Sequence, residues 1–203
     1  MGVVAALIPS TNPTSTVMYK SLISIKAGNA IVISPHPGAK NCITATYQII
    51  RETAEGAGAP ANTIGCVALT TAEATNALLR HRDVGIILAT GGEAMVHAAY
   101  SSGNPALGVG PGNGPAFIER TADIPAAVGR IMDSKTFDNG TICASEQSIV
   151  TEACIAEAVA GELRRQGACF LSPEQSDKLS GLLLRANGTM NPAIVGRTAR
   201  QIA

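Results

Sequence analysis

Val84-Gly85-Ile86-Ile87-Leu88-Ala89, followed at once by Thr90-Gly91-Gly92, is the stretch that decides the fold. Ile86–Ala89 is apolar at every position, whereas a strand with one wet face would alternate. Such a strand belongs to a parallel sheet covered by helices on both sides. The Gly-Gly turn ends it and opens a helical pattern over Gly92–Ser101. The same alternation runs outward in both directions. Upstream, Val3–Ile8 reads as a strand and Thr14–Ala27 as a helix closed by Gly28. Ala30–Ile33 is a strand, Ala39–Glu55 a helix and Ile64–Leu69 a strand, and Thr70 with Glu73 predicts a capping box at the next helix. Downstream, Ala106–Val109 is a further strand. Repeated β-α units of this length predict an α/β protein with a doubly wound, Rossmann-like parallel sheet. Ligands of such sheets sit at the carboxyl ends of the strands, here the loops that begin at Pro9, Ser34, Thr90 and Gly108.

Gly108-Val109-Gly110-Pro111-Gly112-Asn113-Gly114-Pro115 breaks the alternation. So much Gly and Pro cannot extend a helix or a central strand, and the segment reads as a crossing between two domains, 1–109 and 110–203. Beyond it lie a strand at Ala116–Ile118, a helix at Ile124–Ser134, a strand at Gln147–Val150 and a helix at Thr151–Gln166. A strand at Ala168–Leu171 follows, then a helix capped by Ser172-Pro173-Glu174-Gln175.

Composition narrows the function classes. Hydrophobic residues make up 46% and aromatics only 3%, so the core must be built from Ala, Val, Ile and Leu. The 15 basic and 15 acidic residues cancel and form no blocks. Nucleic-acid binding needs a basic face, and a polybasic membrane anchor is equally absent. The apolar start stops at Pro9, too short to span a bilayer, and a cytoplasmic protein is expected. Five widely spaced cysteines with no C-x-x-C pair argue for free thiols rather than a disulfide framework or structural zinc.

One of those cysteines stands apart. Phe137-Asp138-Asn139-Gly140-Thr141-Ile142-Cys143 places Cys143 just past an Asn-Gly turn, where a substrate can reach a thiol. A thiolate there can attack a carbonyl carbon, although a free cysteine is more often a small buried hydrophobe. Asn12, in Ser10-Thr11-Asn12-Pro13, reads either as a helix cap or as an amide that donates to an oxyanion. Thr90-Gly91-Gly92 offers bare N–H groups at a helix start, suited to a phosphate, but a Gly-Gly turn is common. His36 is held between Pro35 and Pro37 on a loop, open to a binding role or to service as a general base.

Taken together, Ile8–Thr16, Ser34–Pro37, Leu88–Gly92, Gly108–Asn113 and Ser134–Gln147 resemble the aldehyde dehydrogenase superfamily. Within it the likeness is to coenzyme A-acylating members, and above all to the acetaldehyde dehydrogenase half of bifunctional aldehyde–alcohol dehydrogenases. It runs almost end to end, in order and in separation. The resemblance implies that Cys143 is the catalytic thiol and Asn12 the oxyanion-hole amide. It implies that 1–109 is an NAD-binding domain and 110–203 the first part of a catalytic domain. Thr90, Gly91 and Gly92 match the turn near the dinucleotide pyrophosphate, and Ser34, His36 and Pro37 the loop around the adenosine. Hydrolytic members commonly carry Lys where this chain has Ser34. Pro9, Ser10 and Thr11, with Gly108, Val109 and Gly110 of the fourth strand-end loop, complete the expected cofactor set.

Two departures carry information. Hydrolytic members place a Glu in the segment matching Gly108–Gly112, where it activates water against the acyl-enzyme. This chain has no carboxylate between Glu93 and Glu119. Without that base water attack is slow, and the thioester is left for a thiol such as coenzyme A. Family members also begin upstream of Met1 and continue past Ala203, so the expectation is an interior portion that associates and lacks turnover alone. For the full-length form the resemblance implies a homo-oligomer, with scope for fusion to an alcohol dehydrogenase domain. Its substrates would be a small aldehyde and coenzyme A. The rivals are an acylating enzyme for sulfoacetaldehyde or succinate semialdehyde, and an inactive nucleotide-binding fragment.

Overall fold

Val3–Ile8 (β1) lies at the centre of a five-stranded sheet because all its side chains are apolar and both its faces can be covered. The computed structural model describes residues 2–110 and 112–203. Met1, the first residue of the expected 1–109 domain, and Pro111, part of the expected crossing, lie outside the described residues. The chain divides into two compact units, Met1–Pro111 and Gly112–Ala203.

In the first unit β1 is followed by helix α1 (Pro13–Lys26), β2 (Ala30–Pro35), α2 (Lys40–Gly56), β3 (Ile64–Cys66) and α3 (Ala72–Leu79). Then come β4 (Val84–Thr90), α4 (Glu93–Tyr100) and β5 (Ala106–Val109). All pairings are parallel, in the order β3-β2-β1-β4-β5. The chain therefore runs outward from β1 through β2 and β3, then returns to β4 on β1's other side. That reversal is a topological switch point between β1 and β4, where doubly wound sheets hold ligands.

β1 shows how the two layers are built. Val4, Ala6 and Ile8 pack with Val17 of α1 and Ile43 of α2. Ala5 and Leu7 face the other way, toward Leu79 of α3 and Ala99 of α4. Helices thus cover both faces, which is why the strand needs no polar side chain. Each fully buried Ile or Val contributes about 1.5–3 kcal/mol relative to exposure. No helix among the described residues is long and apolar enough to cross a membrane.

The second unit holds β6 (Gly114–Ile118), α5 (Ile124–Thr136), β7 (Glu146–Thr151), α6 (Ala156–Arg165), α7 (Pro173–Leu183) and a short α8 (Ala199–Ile202). β6 and β7 pair in parallel, and Ile118, Val128 and Val159 form the core beneath them. The other face of this pair leaves the cross-strand neighbours Phe117 and Val150 exposed.

Four expectations need correction. Ala168–Leu171 is not a strand: it pairs with nothing among the described residues, and Arg164 lies over the Phe170 ring instead. A short apolar run becomes a strand only where it is laid along a ladder edge, and among the described residues this run joins no sheet. β3 stops at Cys66 rather than Leu69, because its partner β2 ends in Pro35, which has no N–H to continue the ladder. The cap of α3 is Thr71, whose hydroxyl accepts from Ala74 N at 3.2 Å, and no capping box with Thr70 and Glu73 forms. The helix expected from Thr151 starts at Ala156, after β7 runs on to Thr151 and a 3-10 turn spans Ala153–Ile155.

Candidate active site

Cys143 is presented by a turn whose sequence leaves the chain little choice. After α5 ends, Asp138, Asn139 and Gly140 all take positive φ, at 50°, 53° and 69°. Those three residue types tolerate the left-handed region best, and the chain reverses there. The next turn is pinned from one side: the Ser145 backbone N–H and its hydroxyl both donate to Ile142 O, at 3.4 and 3.0 Å. Ser145 is buried while Cys143 and Ala144, between the pinned ends, are exposed. A polar anchor turned inward thus holds the thiol outward.

A glycine completes the arrangement. A Cβ placed on Gly112 would stand 2.1 Å from the Cys143 carbonyl oxygen. The chain at 112 therefore lies directly against the Cys143 backbone, and only hydrogen fits between them. Nearby, the Ser134 hydroxyl and the Lys135 ammonium hold Glu146 below the usual carboxylate range, so it stays ionised. A cavity of about 440 Å³ is a separate feature of this unit, lined by β7, α5, α6 and Phe170 without Cys143.

In the first unit the loop after β1 fixes Asn12 by its backbone. Thr16 N, Thr16 Oγ1 and Ser15 Oγ all donate to Asn12 O, at 3.2, 2.8 and 3.3 Å. Asn12 is the N-cap residue of α1, yet its side chain makes no cap hydrogen bond. Its Oδ1 takes only a long contact from Thr11 Oγ1, 3.5 Å, and its Nδ2 donates to nothing among the described residues. Pro9, Ser10 and Thr11 form the rest of this loop, on the β1 side of the switch point.

The loop after β4 stands on the other side. Thr90 ends the strand, Gly91 N donates to Val109 O, and Gly92 caps α4 with no side chain to satisfy the first turn's N–H groups. A Cβ on Gly92 would meet nothing, so the approach to those groups is open. Glu93 lies in the same first turn, a charge any anion there must avoid.

The other expected residues are differently employed. Ser34 is buried, and its hydroxyl pairs with that of Thr75 at 3.0 Å. His36 uses Nδ1 to accept from Gly38 N, capping the 3-10 turn Pro37–Ala39. Gly108 serves packing: its N–H donates to the Tyr100 hydroxyl, and a Cβ there would press to 2.6 Å from Val96. Val109 is exposed at the end of the edge strand, and Gly110 follows with open space around it.

Sequence reasoning missed Lys20. Its side chain is buried under α1, and Nζ donates to Leu7 O at 2.7 Å and Leu88 O at 2.8 Å. The signal was available: Thr16, Val17, Lys20, Ser21 and Ser24 recur at helical spacing on the buried face. Burial lowers the Lys20 pKa from the usual lysine range to about 7. Between about 7 and the unfolded value of 10.5 the unfolded chain binds the extra proton, so stability rises with pH across that window. Lys20→Met should flatten this rise in denaturant titrations, and an unchanged slope would show that the amine is not buried in solution.

The aldehyde dehydrogenase family model matches residues 1–168. The chain is 47% identical over 203 residues to the bifunctional aldehyde-alcohol dehydrogenase AdhE of Escherichia coli, covering all of this chain and 23% of that protein. It superposes on an acetylating aldehyde dehydrogenase from Geobacillus thermoglucosidasius with a TM-score of 0.91 and 52% identity, over 100% of this chain and 44% of that one. A propionaldehyde dehydrogenase from Rhodopseudomonas palustris, solved with bound CoA and an acylated cysteine, gives 0.89 and 35%, over 99% and 46%. The chain thus spans less than half the length of each.

Proposed function

Because the chain belongs to the aldehyde dehydrogenase family, we propose that it supplies the dinucleotide-binding and nucleophile-bearing parts of a CoA-acylating aldehyde dehydrogenase. The substrate is acetaldehyde or a similar short aldehyde, and the reaction is reversible. The observation that carries this reading is the exposed Cys143 turn, pinned by Ser145 and closed against Gly112. The acylated cysteine and bound CoA of the Rhodopseudomonas enzyme support it.

The Cys143 thiolate adds to the aldehyde carbon, and the carbonyl oxygen becomes an oxyanion. That oxyanion needs a hydrogen-bond donor, a role to which the unengaged Nδ2 of Asn12 and the Cys143 backbone N–H are each suited. NAD, when bound, supplies the acceptor for the hydride lost by the adduct's carbon, which leaves the acyl group as a thioester on Cys143. The thiol of coenzyme A then attacks the thioester carbonyl, taking the acyl group and releasing the Cys143 sulfur. Water competes poorly, since no carboxylate occurs between Glu93 and Glu119 to serve as its base.

A dinucleotide fits the switch point on this chain's own features. The uncapped first turn of α4 offers N–H groups to a pyrophosphate, and the glycines at 91 and 92 put no side chain in the way. Ser34, buried against Thr75, leaves adenosine contacts to His36 and Pro37 on the adjoining turn. The division into an NAD-binding domain and the start of a catalytic domain, the homo-oligomer and the fusion to an alcohol dehydrogenase domain belong to the same proposal.

Product analysis tests the acyl acceptor. With the intact protein, acetaldehyde, NAD and coenzyme A should give acetyl-CoA and stoichiometric NADH. Steady release of free acetate without coenzyme A would overturn the acylating assignment in favour of a hydrolytic one.

A further inference from the structure

The ladder between β1 and β4 ends at the Leu7–Ala89 pair, and from there the two chains diverge into the loops that flank the switch point. At those last rungs Lys20 reaches from α1 and donates to one carbonyl on each strand, Leu7 O and Leu88 O. We infer that Lys20 is a positioning residue: its ammonium fastens the carboxyl ends of β1 and β4 to α1, and so sets the spacing of the Pro9–Asn12 and Thr90–Gly92 loops. The inference rests on the reading of this crevice as the dinucleotide site.

Stability alone does not account for a lysine here. A buried ammonium pays a desolvation cost that a Met of similar length would avoid while filling the same space. β1 and β4 carry no titratable side chain, and no carboxylate pairs with Lys20 among the described residues. Its recorded partners are two backbone carbonyls. What the amine adds over an apolar residue is direction: two short hydrogen bonds that hold two adjacent strand ends at one separation. The loops that start there carry Asn12 and the Gly91-Gly92 turn, so an error in that spacing is passed to both.

The test is NAD binding by calorimetry in the full-length protein, alongside thermal unfolding. Lys20→Met should keep or raise the melting temperature at neutral pH, yet weaken NAD binding by about tenfold, the scale of a lost hydrogen bond to a charged group. Val17→Ala, a core truncation on the same helix, should lower the melting temperature and leave NAD affinity alone. A residue that served stability only would show the opposite pattern. Should Lys20→Met fail to fold, Lys20→Gln, which keeps an N–H donor, takes its place, with a weakening of roughly threefold expected from one retained bond. Unchanged affinity in the folded variant, with normal binding by the parent, overturns the inference and leaves the dinucleotide reading intact. Failure of the parent to bind NAD or NADP overturns that reading, and the inference with it.

Discussion

Cys143→Ala is expected to abolish aldehyde-dependent NADH formation, by roughly four orders of magnitude or more, while NAD binding stays at the parent level. Loss on this scale follows when the atom that forms the covalent intermediate is removed, because the remaining site can bind substrate but has nothing to attack it with. Exposure alone does not single out this thiol, since Cys42, Cys154 and Cys169 are exposed as well. What separates Cys143 is its seat: a turn anchored by buried Ser145 and pressed against Gly112. Cys42 lies within α2, and Cys66, pushed up to about 11 by burial, is a poor nucleophile. Steady-state assays of the five single Cys→Ala variants decide the matter. Substantial turnover by Cys143→Ala, or its loss in one of the other four, would move the nucleophile elsewhere.

Asn12→Ala should come next in severity. Removing one oxyanion donor typically costs about a hundred- to a thousandfold in rate. The structure sharpens the prediction, because the Asn12 side chain caps nothing, whereas its backbone carbonyl is held by Thr16 and Ser15. Truncating the side chain therefore leaves the start of α1 in place. The expected result is a fall in kcat of that order with NAD affinity and melting temperature nearly unchanged. A drop in stability with kcat retained would make Asn12 a structural residue after all.

Much of this was legible in the sequence, for an identifiable reason. Both faces of Val3–Ile8 and Ile86–Ala89 are apolar, and a strand like that has few places to go besides the middle of a covered parallel sheet. The turn at Asp138-Asn139-Gly140 was equally readable, because its residues suit the positive φ they adopt. What escaped depends on long-range partners. Ala168–Leu171 has the composition of a strand but is laid along no ladder among the described residues. Ser34 looks like a loop residue, and only Thr75, 41 positions away, turns it inward. Lys20 reads as a surface charge until the carbonyls of Leu7 and Leu88 are brought over it. The need for glycine at 112 likewise arises from contact with Cys143, 31 residues further on. No local pattern contains that information.

The central claim is that the acyl group rests on Cys143 and waits for coenzyme A. Mixing the intact protein with acetaldehyde and NAD, with coenzyme A withheld, tests it in one experiment. The account predicts a burst of one NADH per site that then stalls, and a mass increase of one acetyl group on the peptide carrying Cys143, both released when coenzyme A is added. Continuous NADH formation without coenzyme A, or an acetyl group found on a different residue, would contradict it.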